Sequence, residues 1–151
     1  MSLDLATIRT AFKTRLTHAT TGITSRIPTV HTYKPEITEG MCPAIVVDCA
    51  DDYIDYYQTM SDSGLALVRF VLELHVAGRY IDAQMASDAY LSVGSGFTAS
   101  ILNALLVDKT LGGTVHTIVP LTAEKPQPSD DDSMVWVTRI PVDAYVRKVA
   151  A

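Results

Sequence analysis

The sequence predicts an α+β domain with a mostly antiparallel sheet of four to five strands and helices packed on one face of that sheet. Residues Leu65–Ala77 alternate between apolar even positions and partly polar odd positions, which is typical of a strand with one buried and one solvated face. Leu5, Ile8, Phe12 and Leu16 recur at intervals of three and four residues, which places them on one stripe of an amphipathic helix. The predicted order of elements is α-β-β-β-α-α-β-β.

Three helices are expected from periodicity and capping residues. The first covers residues 3–20, the second runs from Asp82 to about residue 91, and the third covers residues 97–107. Ser95, within a Gly-Ser-Gly break, is the expected N-cap of the third helix.

Strands are expected over residues 29–33, 44–50, 65–77, 114–121 and 134–147, where β-branched and apolar residues are enriched or alternate. Pro120 and Pro141 cannot donate a ladder hydrogen bond, so each is expected at a sheet edge or a bulge. No linker or repeat divides these elements, and residues 1–151 are expected to form a single domain.

The composition excludes several classes of protein. A chain that is 48% apolar and 19% charged is neither a disordered acidic tail nor a low-complexity fibre. Its longest apolar stretch is interrupted by Arg69 and Glu73, so no membrane span is expected. The net charge of −5 argues against sequence-specific nucleic-acid binding.

Charge is unevenly distributed along the chain. Residues 1–35 contain five cations and one acid, a local net charge of +4, so the remainder carries −9. Arg9, Lys13 and Arg15 fall away from the apolar stripe of the first helix and are expected on its exposed side. This helix is therefore the predicted subunit interface, in which a basic surface meets an acidic or polar neighbour. The alternative interpretation is that the charged stretches are ordinary solvated loops.

Catalytic motifs are absent from the sequence, so the chain is not predicted to be an enzyme or to bind a cofactor. It contains no Gly-x-Gly-x-x-Gly, no phosphate-binding loop and no His-Glu-x-x-His. Asp130, Asp131 and Asp132 are consecutive rather than alternating, unlike the ligands of a calcium loop, and no metal site is expected there. We interpret these three aspartates as the solvated acidic tip of a hairpin.

An aromatic segment separates two predicted strands. It contains Tyr53, Ile54, Tyr56, Tyr57 and Met60, and is too long for a tight hairpin and too aromatic for a passive loop. Tyr and Met are enriched at protein interfaces. We therefore expect an arm that contacts a partner, with extended strands whose tyrosines cover the sheet end as the alternative.

Residues 107–115 read Val-Asp-Lys-Thr-Leu-Gly-Gly-Thr-Val. A helix, an aspartate and a Leu-Gly-Gly turn leading into a strand resemble the tail terminator family of long-tailed bacteriophages. The order of elements agrees over nearly the whole chain, whereas the specific motif spans about nine residues. The resemblance makes Gly112 and Gly113 a structural turn. The sequence departs from the pattern of that family at residues 126–129, where a Pro-Gln-Pro-Ser stretch makes the chain before the acidic tip stiffer than expected.

The resemblance implies a structural virion protein, made in the bacterial cytoplasm and located at the junction of tail and neck. Six copies would form a ring that caps the tail tube and joins it to the head-closure or connector protein. Genomic DNA would pass through the ring without sequence-specific binding, with Asp130, Asp131 and Asp132 at the channel rim. The alternatives are another neck component, such as a head-closure protein, or a small ligand-binding domain or enzyme.

Overall fold

A six-stranded mixed sheet forms the centre of the protein in a computed structural model, which describes residues 3–17, 29–57, 64–97 and 100–148. The helices of the described chain are α1 (Leu5–Thr17), α2 (Tyr80–Leu91) and α3 (Ile101–Leu106), with one 3-10 turn at Glu39–Met41. The strands are β1 (Thr29–His31), β2 (Ala44–Asp55), β3 (Leu65–Ala77), β4 (Thr117–Pro120), β5 (Gln127–Pro128) and β6 (Val135–Arg147).

The strands lie in the order β1-β2-β3-β6-β4, and β5 also pairs with β6. The predicted α+β class is confirmed, and every strand pair except one is antiparallel. The predicted element order and the predicted number of four to five strands are wrong in detail, because β5 is an additional short strand that makes six. Strand β1 runs parallel to β2. The parallel pair makes the sheet mixed.

The main core lies between one face of the sheet and the three helices. Even-numbered residues of β3 and β6 face this core, and α1 contributes the predicted stripe of Ile8, Phe12 and Leu16. The Phe12 ring meets the Phe70 ring edge-on, with 5.2 Å between centroids. Burial of a large apolar side chain contributes about 1.5–3 kcal/mol, so this face supplies most of the hydrophobic stabilisation.

The helix boundaries differ from the predicted ones because other side chains accept the hydrogen bonds of the free backbone amides at the helix N-termini. Asp4 accepts a hydrogen bond from the Thr7 amide (3.2 Å) at the start of α1. Asp82 lies inside α2 and accepts from the Arg79 amide (2.9 Å), so α2 begins earlier than expected. Ser100 rather than Ser95 caps α3, and residues 18–20 and 98–99 of the predicted helices lie outside the described residues.

Pro141 lies in a central strand, contrary to the expectation of an edge or bulge. Its carbonyl accepts the Leu121 amide at 2.8 Å, so it points towards the β4 side of β6. The N and C=O of one strand residue point the same way, and the missing N–H of Pro141 is therefore on that side too. Its pairing with Val71 of β3 loses no ladder bond.

Strand β2 continues past a large bulge, so the predicted end of the strand at residue 50 is wrong. Cys49 pairs with Phe70 and Ile54 pairs with Val68, which leaves four residues of β2 opposite Arg69 alone. Arg69 holds the bulge by contacting the Asp52 carbonyl (3.2 Å) and carboxylate (3.3 Å). The bulge returns the chain to the sheet with the Tyr53 ring against Phe70.

Arg9 is buried, and its predicted place on the exposed side of α1 is wrong. Only 7% of the residue is exposed. Its guanidinium donates to the carbonyls of Thr32 (2.7 Å) and Val47, and it lies 4.7 Å from the centroid of the Tyr33 ring. Because β1 is short, these two backbone carbonyls have no strand partner, and Arg9 of α1 supplies their hydrogen-bond donor. These hydrogen bonds fix α1 against β1 and β2.

We predict that Arg9→Ala lowers the free energy of unfolding by about 2–4 kcal/mol, because two carbonyls lose charge-assisted hydrogen bonds. Urea denaturation followed by circular dichroism measures the change. Lys13→Ala, on the exposed side of the same helix, is the matched control and should shift the value by less than about 0.5 kcal/mol. Equal effects of the two substitutions would contradict the structural role of Arg9.

Candidate functional site

The distal end of the β2–β3 hairpin carries an aromatic tip, which we define as Tyr56 and Tyr57. These side chains are 53% and 62% exposed. The tip is ordered locally, since Asp55 accepts the Tyr57 amide (3.0 Å) and the Lys148 ammonium lies 4.2 Å from the Tyr57 ring centroid. Each tyrosine presents an apolar ring and a polar hydroxyl group, a combination that is enriched at protein interfaces.

Only part of the predicted arm belongs to this tip. Tyr53 and Ile54 lie in β2 and are half-buried against the main core, which supports the alternative of extended strands for these two residues. The Tyr53 hydroxyl accepts a hydrogen bond from Arg9 (3.3 Å). Burial raises the pKa of Tyr53, although Arg9 acts in the opposite direction. Met60 lies outside the described residues.

An apolar groove opens between α3 and the chain that follows β4. Its volume is about 330 Å³. The lining residues are all apolar: Leu91, Ile101, Leu102, Leu105, Leu106, Pro120, Leu121, Ala123 and Ile140. Leu106 and Leu121 at its mouth are 40% and 49% exposed. Exposed apolar surface of this kind marks an interaction site more often than an accidental feature.

A second depression, of about 460 Å³, adjoins this groove through the shared residue Leu91. It runs along α2, where Ile81 and Met85 are one turn apart and 53% and 67% exposed. Asp88, Glu124 and Lys125 supply its charged lining. The groove and the depression together form one elongated surface beside the sheet edge.

The acidic turn, Asp130–Asp132, has a structural role that the sequence did not indicate. Asp131 accepts the Ile37 amide (3.2 Å), and Asp132 accepts the amides of Glu39 (3.0 Å) and Met134 (2.9 Å). These backbone hydrogen bonds lower the pKa of Asp132. Asp130 is exposed. The turn therefore anchors a neighbouring segment and is not merely a solvated tip.

That segment, residues 34–43, is a strap across the second face of the sheet, opposite the helices. Ile37 is fully buried there against Ala44 and Val46 in a small separate core. The strap is held by the acidic turn at its centre and by Lys34 at its start. Sheet residues that would otherwise face water are covered by it.

A buried charge cluster lies beneath the start of the strap. The Glu73 carboxylate is 3.3 Å from the Lys34 ammonium, 3.2 Å from His75 Nε2 and 3.2 Å from Arg139 Nε. The Glu73 and His75 side chains are only 3% and 1% exposed. Lys34 also approaches Asp48 at 3.7 Å. Antiparallel register explains the grouping, because Glu73 pairs directly with Arg139 across the sheet.

Opposing effects act on the Glu73 carboxyl. Burial favours its neutral form, but the hydrogen bond from His75 and the charges of Lys34 and Arg139 outweigh burial and hold its pKa at about 2. Glu73 is therefore ionised at neutral pH, and His75 must donate to it through Nε2–H. His75 does not meet His116, because His75 pairs with Val137 whereas His116 lies near the other end of β6, beside Tyr145.

The basic residues of α1 are separated by the fold. Lys13 is exposed, Arg9 is buried, and the half-buried Arg15 donates to the Ala104 carbonyl of α3 (3.1 Å). Only Lys13 retains the exposure that a charged subunit contact requires. A continuous basic surface on α1, as predicted, is not present among these three residues.

Gly112 and Gly113 lie in the turn between α3 and β4, with φ of +70° and +86°. L-residues with side chains rarely adopt this region, so the Gly-Gly pair suits the turn. Asp108 accepts the amides of Thr110 (2.9 Å) and Gly112 (2.8 Å), which fixes the shape of the turn.

The sequence analysis did not predict the apolar groove or the charge cluster around Glu73. Ile81 and Met85 recur one turn apart on α2 and could have marked an apolar exposed stripe, whereas the lining of the groove comes from four separated segments. In the described ranges, no group of three His, Cys, Asp or Glu side chains could hold a metal ion. Within those ranges, too, every helix is too short or too polar to cross a membrane.

Comparisons with known proteins give no family assignment. No protein-family model matches the sequence, and no curated protein matches it either.

Glu73→Gln should reduce stability in a pH-dependent way. Because the folded-state pKa of about 2 lies below the ordinary value of 4.5, the ionised carboxylate stabilises the fold above about pH 4.5. This contribution is lost as the pH falls from 4.5 towards 2. The difference in unfolding free energy between wild type and variant, from urea denaturation, should therefore be largest above pH 5 and shrink by pH 3. Glu124→Gln, at an exposed position, serves as the control, and a difference that does not vary with pH would contradict the account.

Proposed function

We propose that this protein is a structural virion protein of the tail terminator type, which assembles head-to-tail into a ring that caps a phage tail tube and joins it to the neck. The ring is expected to contain six copies, on the basis of the family resemblance alone. Its partners would be copies of itself, the tail tube protein and a head-closure or connector protein.

The observation that carries the proposal is the presence of two unlike apolar surfaces on one small domain. The aromatic tip is a pair of exposed rings that follows β2, and the groove beside α3 is a concave surface. Along β6, Tyr145 near the tip and Ile140 in the groove are five residues apart, about 17 Å at 3.3 Å per residue. A ring requires such a heterologous contact, in which different patches of successive copies meet.

We infer that the tip of one copy occupies the groove of the next. The groove lining is wholly apolar, which suits tyrosine rings. The β2 bulge before the tip bears the exposed Asp51 and Asp52, and the depression that adjoins the groove contains both Lys125 and Asp88. Aromatic burial rather than net charge would therefore drive this contact. This replaces the contact expected from the basic helix, since Arg9 is buried.

The element order supports the family-level proposal. The resemblance is based on the order of elements, and the described chain contains them in that order. They are an N-terminal helix, a long central hairpin, two helices and the Leu-Gly-Gly turn before the last antiparallel strands. For the acidic turn, Asp130 is the residue best suited to face passing DNA, because Asp131 and Asp132 are engaged with the strap. Negative charge there would keep phosphates from binding.

Replacing both tip tyrosines, Tyr56→Ser with Tyr57→Ser, should abolish self-association, as should Leu121→Asp in the groove. Loss of buried aromatic anchors costs about 2–4 kcal/mol of binding, which corresponds to roughly 30- to 1,000-fold in the dissociation constant. Native mass spectrometry at low salt, with and without tail tube protein, measures the oligomers. Melting temperatures should change little, because these side chains are exposed.

Val119→Ser, an exposed apolar position on β4 outside the groove lining, is the matched control and should assemble normally. A wild-type protein that stays monomeric both alone and with tube protein would refute the proposal. Binding to the connector but not to the tube would favour the alternative of a head-closure protein.

A further inference from the structure

The ammonium group of Lys148 lies at the base of the aromatic tip without a hydrogen-bond acceptor. Its Nζ atom is shielded from solvent, and no acceptor in the described part of the chain lies within hydrogen-bonding distance of it. The Tyr57 ring covers it, with the ring centroid 4.2 Å from Nζ. An ammonium group has three donors, and a cation–π contact replaces only part of the hydration that burial removes. This positive charge therefore lacks an anionic partner in the single subunit.

The fold determines where this charge is presented. Lys148 directly follows β6, and its backbone amide donates to the Gly64 carbonyl (3.0 Å) just before β3. The carboxylate of Asp55, at the end of β2, accepts the Tyr57 amide and forms no hydrogen bond with the Lys148 ammonium. Because the Tyr57 ring and the ammonium group are in contact, a surface that takes up the ring also meets this charge.

The depression that adjoins the groove offers carboxylates of the complementary charge. Asp88 of α2 and Glu124 of the chain after β4 line it, and both residues are exposed. The ion pairs formed among the described residues involve neither of these carboxylates. An ammonium group without an acceptor and carboxylates without a cation thus lie on the two surfaces that we assign to one contact.

Glu124 is better placed than Asp88 to meet the tip. It directly follows Ala123, which lines the groove itself, and its amide donates to the Arg139 carbonyl (2.9 Å). The backbone of Glu124 is therefore fixed at the border between the groove and the depression. Asp88 belongs to the depression alone and is connected to the groove lining through Leu91, three residues further along α2.

We propose that Lys148 of one copy binds the Glu124 carboxylate of the next copy when the aromatic tip enters the groove. This inference rests on the proposed tip-in-groove contact and names the charged pair that orients it. Burial of the tyrosine rings supplies most of the affinity, whereas the ion pair fixes the direction in which the tip lies along the elongated surface. Lys148 is thus a specificity-determining residue of the assembly.

A double-mutant cycle on a one-to-one complex tests the pair. One copy carries Leu121→Asp and keeps its tip, and the other lacks the tip tyrosines and keeps its groove, so that only one tip-in-groove contact can form. Isothermal titration calorimetry gives the dissociation constant. We expect Lys148→Glu in the first copy, or Glu124→Lys in the second, to weaken binding about tenfold, and the two together to restore it to within about threefold.

Asp88→Lys is the matched control, because it reverses the charge of the other carboxylate in the same depression. It should not restore binding to the Lys148→Glu copy. A complex that forms without coupling between Lys148 and Glu124, or that Asp88→Lys restores equally well, would overturn the pair and leave the tip-in-groove contact standing. Failure of the reference complex to form would refute both.

Lys148→Met provides a second measurement that introduces no reversed charge. It keeps most of the aliphatic side chain and removes the ammonium group, which has no acceptor among the described residues. The melting temperature of the subunit should therefore change little, while the complex weakens about tenfold. A clear fall in melting temperature with unchanged binding would assign Lys148 to the stability of the fold and overturn the proposal.

Discussion

The register of β3 against β6 is the constraint on which the rest of the structure depends. Thirteen consecutive pairs, from Leu65 with Arg147 to Ala77 with Val135, fix which side chains face the helices. A slip of one residue would move Phe70 and Leu72 to the strap side and bring Glu73 among the helices. The apolar alternation of both strands makes that arrangement costly, so the ladder determines both faces of the sheet at once.

The two faces have different physical characters as a result. On the helix face, large apolar side chains supply stability, and the buried Arg9 donates hydrogen bonds to backbone carbonyls. On the strap face, stability depends on a charge-balanced cluster centred on Glu73, whose pKa of about 2 reflects three hydrogen-bonding or charged partners. Ionisation of Glu73 therefore makes the stability of the strap face depend on pH. Of the two exposed surfaces that we assign to assembly, the tip follows the end of β2, and the groove opens at the margin of the helix-face core, near β4.

Local pattern predicted the class of fold and several elements, because alternation in β3 and the stripe in α1 are properties of neighbouring residues. It did not predict the β2 bulge, since Asp51 and Asp52 resemble the beginning of a loop and their fit depends on Arg69 of another strand. Arg9 looked exposed for a similar reason: its acceptors are carbonyls distant in sequence. Only part of the aromatic segment is exposed as predicted for an arm. The bulge returns Tyr53 to the core, whereas Tyr56 and Tyr57 remain exposed to solvent. The groove depends on the packing of four separated segments, which periodicity within one segment does not reveal.

Mixing two assembly-defective variants tests the central claim of tip-in-groove association most directly. One variant lacks the tip tyrosines, and the other carries Leu121→Asp in the groove. Each copy then retains one of the two complementary surfaces, so a head-to-tail contact predicts that neither variant associates alone but that an equimolar mixture forms a one-to-one heterodimer and nothing larger. A mixture that stays monomeric in native mass spectrometry, while the wild type forms oligomers, would contradict the account.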